Sequence, residues 1–335
     1  MRVAINGFGR IGRLVCRIME ESDDFELVAI NGSKDAKHYA HLLKYDTVHR
    51  KYRVDEIGYD DNNIILGDKK ILCLSELEPE KLPWKDLNID LVFECTGKFT
   101  DEEGAYKHIT AGAKKVIISA PAKGNVKTIV YGVNENILDG SEKVISAASC
   151  TTNCLAPMLK VINDNFGINR GYMTTVHAYT NDQAVLDSTH KKGIESRRGR
   201  AAAENIIPTS TGAAEAIGLV IPELEGRLKG SAMRVPVYDG SVVDLVLELD
   251  RKVSVPLINN AYIAAKSEIL DATYDPIVSS DVIGDSHGGV VDLSLTDVLD
   301  VDGKQLVKVI GWYDNEMGYS YQMVRTARYF GNLDK

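Results

Sequence analysis

Residues 2–31 read as strand, glycine turn, helix and strand, an order that leaves few folds open. Arg2–Asn6 is a short apolar strand, followed by Gly7-Phe8-Gly9-Arg10-Ile11-Gly12. Leu14, Val15, Ile18 and Met19 then fall on one face of a helix over 13–22, and residues 25–31 form the next strand. Glycines spaced G-x-G-x-x-G between a strand and a helix are a dinucleotide-binding fingerprint. Gly7 permits the tight turn, Gly9 lets the backbone approach a pyrophosphate, and Gly12 lets the helix pack on the sheet. The pyrophosphate would rest on the helix N-terminus. The competing reading is a glycine-rich turn without a ligand.

The fingerprint also calls for an acidic residue about 20 positions on, to hold the ribose 2′-hydroxyl. That position is Gly32, in Asn31-Gly32-Ser33-Lys34, and Asp35 lies beyond the strand end. Without the carboxylate, a 2′-phosphate meets no repulsion there. Ser33 could hydrogen-bond it, and Lys34 or Lys37 could pair with it. Cofactor choice between NAD and NADP therefore stays open. Strands over 89–94 and 115–119 continue the sheet, and ligands bind at the carboxyl ends of such strands. Thr96 and Ser119 are thus candidate cofactor neighbours. Residues 64–66 and 70–72 read as a hairpin around Gly67-Asp68.

The second half carries nucleophile chemistry. Ser149-Cys150-Thr151-Thr152-Asn153-Cys154 stands where a loop enters a helix whose apolar face is Leu155, Met158, Leu159 and Ile162. Gly167 ends that helix and Pro157 interrupts it. A thiol at a helix N-terminus feels the positive end of the macrodipole, so a lowered pKa is expected of Cys150. His177 ends a strand over 170–178 and is the expected base for such a thiol. Taken alone it would read as a core or surface histidine. Cys150 and Cys154 could also face one metal, but no paired Cys/His set completes a tetrahedral site. Cys154 reads as a small core residue, and no metal is expected.

A polar, basic connection spans 181–205, with His190, Lys191, Lys192, Arg197, Arg198 and Arg200. The chain as a whole carries a net charge of −9. A local positive loop could therefore collect anionic substrates, or be a solvated face. Pro208-Thr209-Ser210-Thr211-Gly212-Ala213-Ala214 opens a helix in the manner of a phosphate cradle. Arg234, in an apolar stretch, needs an anionic partner, either a ligand or a structural carboxylate. Strands are expected over 241–249, 290–295 and 305–313, with a helix over 260–270 and a final helix opening at Asp314-Asn315-Glu316. The second domain is thus α+β with a mainly antiparallel sheet.

The acidic balance argues against a dedicated nucleic-acid or anionic-membrane partner. Five cysteines at irregular spacing do not make a secreted disulfide framework. The chain opens directly in a strand, without a signal-peptide apolar region, and no apolar run reaches the about 20 residues needed to span a bilayer. A cytoplasmic protein is expected.

Together Ala148–Cys154, His177-Ala178-Tyr179-Thr180-Asn181-Asp182-Gln183, Thr211-Gly212-Ala213-Ala214, Met233-Arg234-Val235-Pro236 and Trp312-Tyr313-Asp314-Asn315-Glu316 resemble phosphorylating glyceraldehyde-3-phosphate dehydrogenases over essentially the whole chain. The resemblance implies a Rossmann domain over 1–149, completed by a C-terminal helix over 314–335, and a catalytic domain over 150–313. It implies that Cys150 attacks the aldehyde of glyceraldehyde 3-phosphate, that hydride passes to NAD(P) with His177 as base, and that the thioester is phosphorolysed to 1,3-bisphosphoglycerate. Thr180 and Arg234 would hold the substrate's phosphate. Ser149, Thr151, Thr211 and Gly212, with Arg198 nearby, would hold inorganic phosphate. The cofactor-binding set would be Asn6, Gly7, Gly9, Arg10, Ile11, Gly12, Gly32, Ser33, Thr96, Ser119, Asn315 and Tyr319. A homotetramer is implied, in which the loop near 181–205 reaches a neighbour's cofactor site. NAD-specific relatives resemble Asn-Asp where this chain has Asn31-Gly32, and Leu-Pro where it has Ser188-Thr189; both differences resemble NADP users. The nearest rival is an erythrose-4-phosphate dehydrogenase, which tends to lack the Thr211-Gly212 cradle. A non-catalytic binding homologue is a rival of another class, although every catalytic position here is chemically competent.

Overall fold

A computed structural model describes residues 1–191 and 193–333. Lys192 of the basic loop, and the last two positions of the expected C-terminal helix segment, lie outside the described residues. By internal contacts the chain divides into two compact units. One comprises residues 1–149 with the chain from Ser320 onward; the other comprises residues 150–319.

In the first unit a nine-stranded sheet is built outward from Arg2–Asn6. On one side Glu26–Asn31 and then Lys69–Leu74 pair in parallel; on the other Leu91–Glu94, Lys115–Ile118, Val144–Ser146 and Lys127–Thr128 follow, also in parallel. The strand order reverses at Arg2–Asn6, the kind of switch point beside which ligands bind in open α/β sheets. Val3, Ala4, Ile5, Val92, Phe93 and Ile117 are fully buried. Continuous apolar runs of this kind suit parallel strands covered on both faces. The expected hairpin forms between Asn63–Leu66 and Lys69–Leu74, and it extends the sheet through an antiparallel edge. The first helix spans Arg10–Met19, three residues earlier than the apolar pattern indicates, because it begins at the glycine turn itself. From Ser320 onward the last helix belongs to this unit, where the Gln322 amide donates to the Tyr131 carbonyl (3.2 Å) and Lys115 Nζ to the Phe330 carbonyl (2.8 Å).

The second unit holds a seven-stranded sheet in the order Ile207–Thr209, Leu228–Val235, Ile168–Ala178, Ser241–Leu249, Lys304–Tyr313, Gly289–Val301, Leu270–Thr273. Four of its pairings are antiparallel and two parallel. Helix Cys150–Phe166 packs its apolar positions Leu155, Met158, Leu159 and Ile162 into the core, all fully buried. Gly167 stops the helix at φ +70°, as its position requires.

One expected element is misplaced. The helix assigned to 260–270 is Val255–Ala264, and Leu270–Thr273 is a strand paired in parallel with Gly289–Asp292. Pro256 marks the start, since its fixed φ and missing N–H suit a first helical turn. The apolar run after it carries the helical pattern past its true end. No helix among the described residues is long and apolar enough to cross a membrane.

Candidate active site

Strand Val144–Ser146 leads through Ala147, Ala148 and Ser149 into helix Cys150–Phe166. Ala148 is buried with φ +59°, a left-handed conformation that costs a non-glycine residue about 1 kcal/mol or more. The Ser146 hydroxyl holds this corner by accepting from the Ala148 N–H (3.0 Å). Cys150 follows at the first position of the helix, largely buried.

Cys150 Sγ lies 3.4 Å from His177 Nε2. His177 Nδ1 lies 2.7 Å from the Ala178 carbonyl, which can only accept, so Nδ1 carries the proton and Nε2 presents its lone pair to the sulfur. The imidazole is 4% exposed, and burial, then the charge of Arg234, lowers its pKa to about 3. It is therefore neutral at physiological pH. The thiol is displaced upward, not downward as the helix start alone suggests. Burial is the larger influence, and the Arg234 charge together with hydrogen bonds at Thr151 oppose it. A neutral thiol facing a neutral, tautomer-fixed imidazole is the arrangement of a nucleophile with its base.

Arg234 stands directly opposite His177 in the parallel register of their two strands. Its Nη1 donates to the Ala178 carbonyl (3.0 Å), the same oxygen that His177 Nδ1–H uses, and to the Thr180 hydroxyl (2.7 Å). Among the described residues no carboxylate pairs with Arg234, and its buried Nε has no hydrogen-bond partner. Burial lowers its pKa, and the nearby Arg198 charge lowers it further. Among the described residues it forms no salt bridge, and a half-buried cation with an open donor can receive an anion. Thr180 donates in turn to Asp182, which pairs with Arg198 Nη1; Arg198 Nε donates to the Thr209 hydroxyl (3.2 Å). Gly212 begins helix Ala213–Val220, with open space where a Cβ would project. The Thr211 hydroxyl accepts from the Ala213 N–H (3.2 Å). Ser149 is half-exposed at the turn before the nucleophile.

Sequence reasoning overlooked Tyr313. Its buried hydroxyl is 2.9 Å from both the Thr151 and Thr175 hydroxyls, and its ring meets the His177 ring edge to face. The Thr151 side chain is thereby engaged with Tyr313. Ser241 was overlooked too: its hydroxyl donates to Asn315 Oδ1 (2.6 Å) and accepts from the Ala178 N–H (3.1 Å). These partners come from distant strands, and no local pattern in the sequence announces them. Cys154 is fully buried against Met158, as a core residue.

The glycine turn fits a dinucleotide. Gly7 has φ +96°, and a Cβ there would strike the Cys95–Thr96 backbone at 2.7 Å. A Cβ on Gly12 would lie 2.2 Å from the Gly7 carbonyl oxygen. Gly9 faces open space, and helix Arg10–Met19, which includes Ile11, begins with no side-chain cap and no acidic residue in its first turn. That open, positive helix end can receive a pyrophosphate. The Arg10 side chain is taken by Asp46. Asn6 is buried, donating to Glu94 Oε2 (2.6 Å) and accepting from Asn31 Nδ2 (2.7 Å). Thr96 donates through its N–H (2.8 Å) and its hydroxyl to Glu94 Oε1, and the Ser119 N–H donates to the Glu94 carbonyl (2.9 Å). Glu94 therefore ties the carboxyl ends of the strands together. Ser33 is exposed beyond Gly32, and Asp35 caps helix Ala36–Lys44 by accepting from the His38 N–H (2.9 Å), so its carboxylate is engaged. Ser188 and Thr189 are exposed in the polar loop, and Tyr319 is buried in the first turn of helix Met317–Asn332.

Comparison with known proteins agrees with this arrangement. Residues 1–102 match the family profile described as the NAD-binding domain of glyceraldehyde 3-phosphate dehydrogenase, and residues 149–315 match the C-terminal domain of the same family. Glyceraldehyde-3-phosphate dehydrogenases of Clostridium pasteurianum and Clostridium acetobutylicum are each 55% identical over 334 residues, covering 100% of this chain and 99% of theirs. One from Streptococcus pyogenes is 52% identical over 340 residues with the same coverage. With a nucleophile–base pair beside an open arginine, a glycine turn shaped for a dinucleotide, and likeness at this level from end to end, the chain belongs to the glyceraldehyde-3-phosphate dehydrogenase family.

Proposed function

We propose that this chain oxidises glyceraldehyde 3-phosphate to 1,3-bisphosphoglycerate, with inorganic phosphate as co-substrate. The observation that carries the reading is the 3.4 Å approach of Cys150 Sγ to His177 Nε2, with the other ring nitrogen held on the Ala178 carbonyl. His177 Nε2 takes the thiol proton as Sγ bonds to the aldehyde carbon, then passes it to the aldehyde oxygen, leaving a hemithioacetal on Cys150. A nicotinamide dinucleotide held at the glycine turn would accept the hydride from that carbon. His177 removes the hydroxyl proton as the carbonyl re-forms, leaving a thioester. Phosphate then attacks the thioester carbon, Sγ leaves, and the imidazolium returns its proton to sulfur.

Arg234 and Thr180, the open cation and its hydroxyl partner, are the groups suited to the substrate's phosphate. Thr211, Gly212, Ser149 and Thr151, with Arg198 nearby, are assigned to the attacking phosphate. The helix start at Gly212, with open space where a Cβ would project, supports that assignment. Asn6, Gly7, Gly9, Arg10, Ile11, Gly12, Gly32, Ser33, Thr96, Ser119, Asn315 and Tyr319 are assigned to the dinucleotide. NAD is the cofactor the family profile names, and Gly32, which carries no carboxylate, favours acceptance of NADP as well. Residues 1–149 with the C-terminal helix serve as the cofactor domain and residues 150–313 as the catalytic domain. A cytoplasmic homotetramer completes the reading. Five free thiols suit a reducing compartment, and exposed Tyr172 and Val246, paired across the sheet of the second unit, suit burial against another copy.

Initial rates with glyceraldehyde 3-phosphate and phosphate, measured with NAD and NADP side by side, test the proposal. Strict dependence on phosphate is expected. A phosphate-independent oxidation with erythrose 4-phosphate as the better substrate would refute it.

A further inference from the structure

The end of strand Glu26–Asn31 is where a dinucleotide fold of this kind places its ribose-binding carboxylate. Here the position is Gly32, and the space beside it is filled. A Cβ on Gly32 would lie 2.0 Å from the Tyr39 hydroxyl oxygen and 3.0 Å from the ring carbon that bears it. Tyr39 comes from helix Ala36–Lys44, is 5% exposed, and stacks edge to face on Phe8 of the glycine turn, with centroids 5.3 Å apart. The Lys34 N–H donates to its hydroxyl (3.1 Å), which fixes the oxygen next to the strand end. The phenolic proton has no acceptor among the described residues. The ring is thus wedged between the turn that would receive the pyrophosphate and the strand end that would receive the ribose.

We infer that Tyr39 is the cofactor-specificity residue of this chain: its hydroxyl occupies the place of the missing carboxylate and offers a neutral donor to the 2′-substituent of the ribose. The inference rests on the dehydrogenase reading above. A carboxylate at that place accepts from a 2′-hydroxyl and repels a 2′-phosphate; a phenol donates to either, and donates more strongly to the charged one. Gly32 and Tyr39 form a matched pair, since the phenol fits only while position 32 has no side chain. An acid introduced at position 32 alone therefore meets the tyrosine before it meets a ribose.

Dissociation constants for NADH and NADPH, from nicotinamide fluorescence, together with the melting temperature of the cofactor-free protein, test this on the full chain. Tyr39→Phe keeps the ring on Phe8; it is expected to keep its melting temperature and to weaken NADPH binding about tenfold, with at most about a threefold effect on NADH. Gly32→Asp is expected to lower the melting temperature and weaken both cofactors. Gly32→Asp with Tyr39→Leu is expected to regain NADH binding and still reject NADPH. An unchanged NADPH-to-NADH ratio in Tyr39→Phe would overturn the inference. So would a Gly32→Asp protein that melts like the parent and binds NADH as tightly as the double variant does. If the parent bound neither dinucleotide, the dehydrogenase reading would fall and this inference with it.

Discussion

Two donors converge on one oxygen in the second unit. The Ala178 carbonyl accepts from His177 Nδ1–H and from Arg234 Nη1–H, so the base and the open cation are mechanically joined. Their charges are joined as well, because the Arg234 guanidinium disfavours an imidazolium beside it. An anion bound at Arg234 would offset that charge and leave His177 the better base once substrate is present. Arg234→Leu is therefore expected to affect both stages of turnover. KM for glyceraldehyde 3-phosphate should rise about a hundredfold, the scale of a lost charged hydrogen bond in a half-buried site, and kcat should fall too. Steady-state kinetics decides; a KM within twofold of the parent would remove Arg234 from the phosphate site. At this scale the sequence shows Cys150, His177 and Arg234 plainly, since each residue type stands in a recognisable context. It does not show Tyr313 or Ser241, whose importance arises only when strands far apart in the chain become neighbours. It also misleads on the thiol: the helix start argues for a lowered pKa, but burial is a property of the folded unit and outweighs it.

The corner before the nucleophile is a property of the element. Ala148 holds a left-handed backbone in the connection between strand Val144–Ser146 and Cys150. A β-branched residue tolerates that conformation poorly. Ala148→Val is expected to destabilise the protein by about 2 kcal/mol and to slow turnover by displacing Cys150 relative to His177. Denaturant unfolding alongside activity measures both, and an Ala148→Val protein as stable and active as the parent would show that the corner is not strained. Elements with strong periodicity, such as Ser241–Leu249 and the first strand–helix–strand unit, are legible because their apolar spacing has a single solution. The 255–264 helix was misplaced because an apolar run without a sharp stop supports helix and strand alike.

Across the whole second unit the sheet assembles the candidate site. Three neighbouring strands, Ile207–Thr209, Leu228–Val235 and Ile168–Ala178, carry Thr209, Arg234 and His177, although they are out of order in the chain. Pairings at such sequence separation cannot be read from local pattern, which is why the fold class was legible and this register was not. The same assembly buries His177 as a neutral ring, with consequences for stability. Its folded pKa, about 3, is below the ordinary value near 6.5, so the unfolded chain binds the extra proton between those limits. Its stabilising contribution is complete above about pH 6.5 and is lost as pH falls toward 3, amounting to about 2 kcal/mol by pH 5. His177→Asn should flatten that part of the pH–stability curve; equal acid slopes for parent and variant would show that the ring is not held neutral.

The central claim is that Cys150 carries the oxidised substrate as a thioester until phosphate removes it. Stopped-flow mixing with NAD and glyceraldehyde 3-phosphate in the absence of phosphate tests it most directly. The expected trace is a burst of one reduced dinucleotide per Cys150, stalled until phosphate is added, absent in Cys150→Ser and slowed in His177→Asn. A burst of unchanged size in Cys150→Ser, or steady turnover without phosphate, would contradict the account.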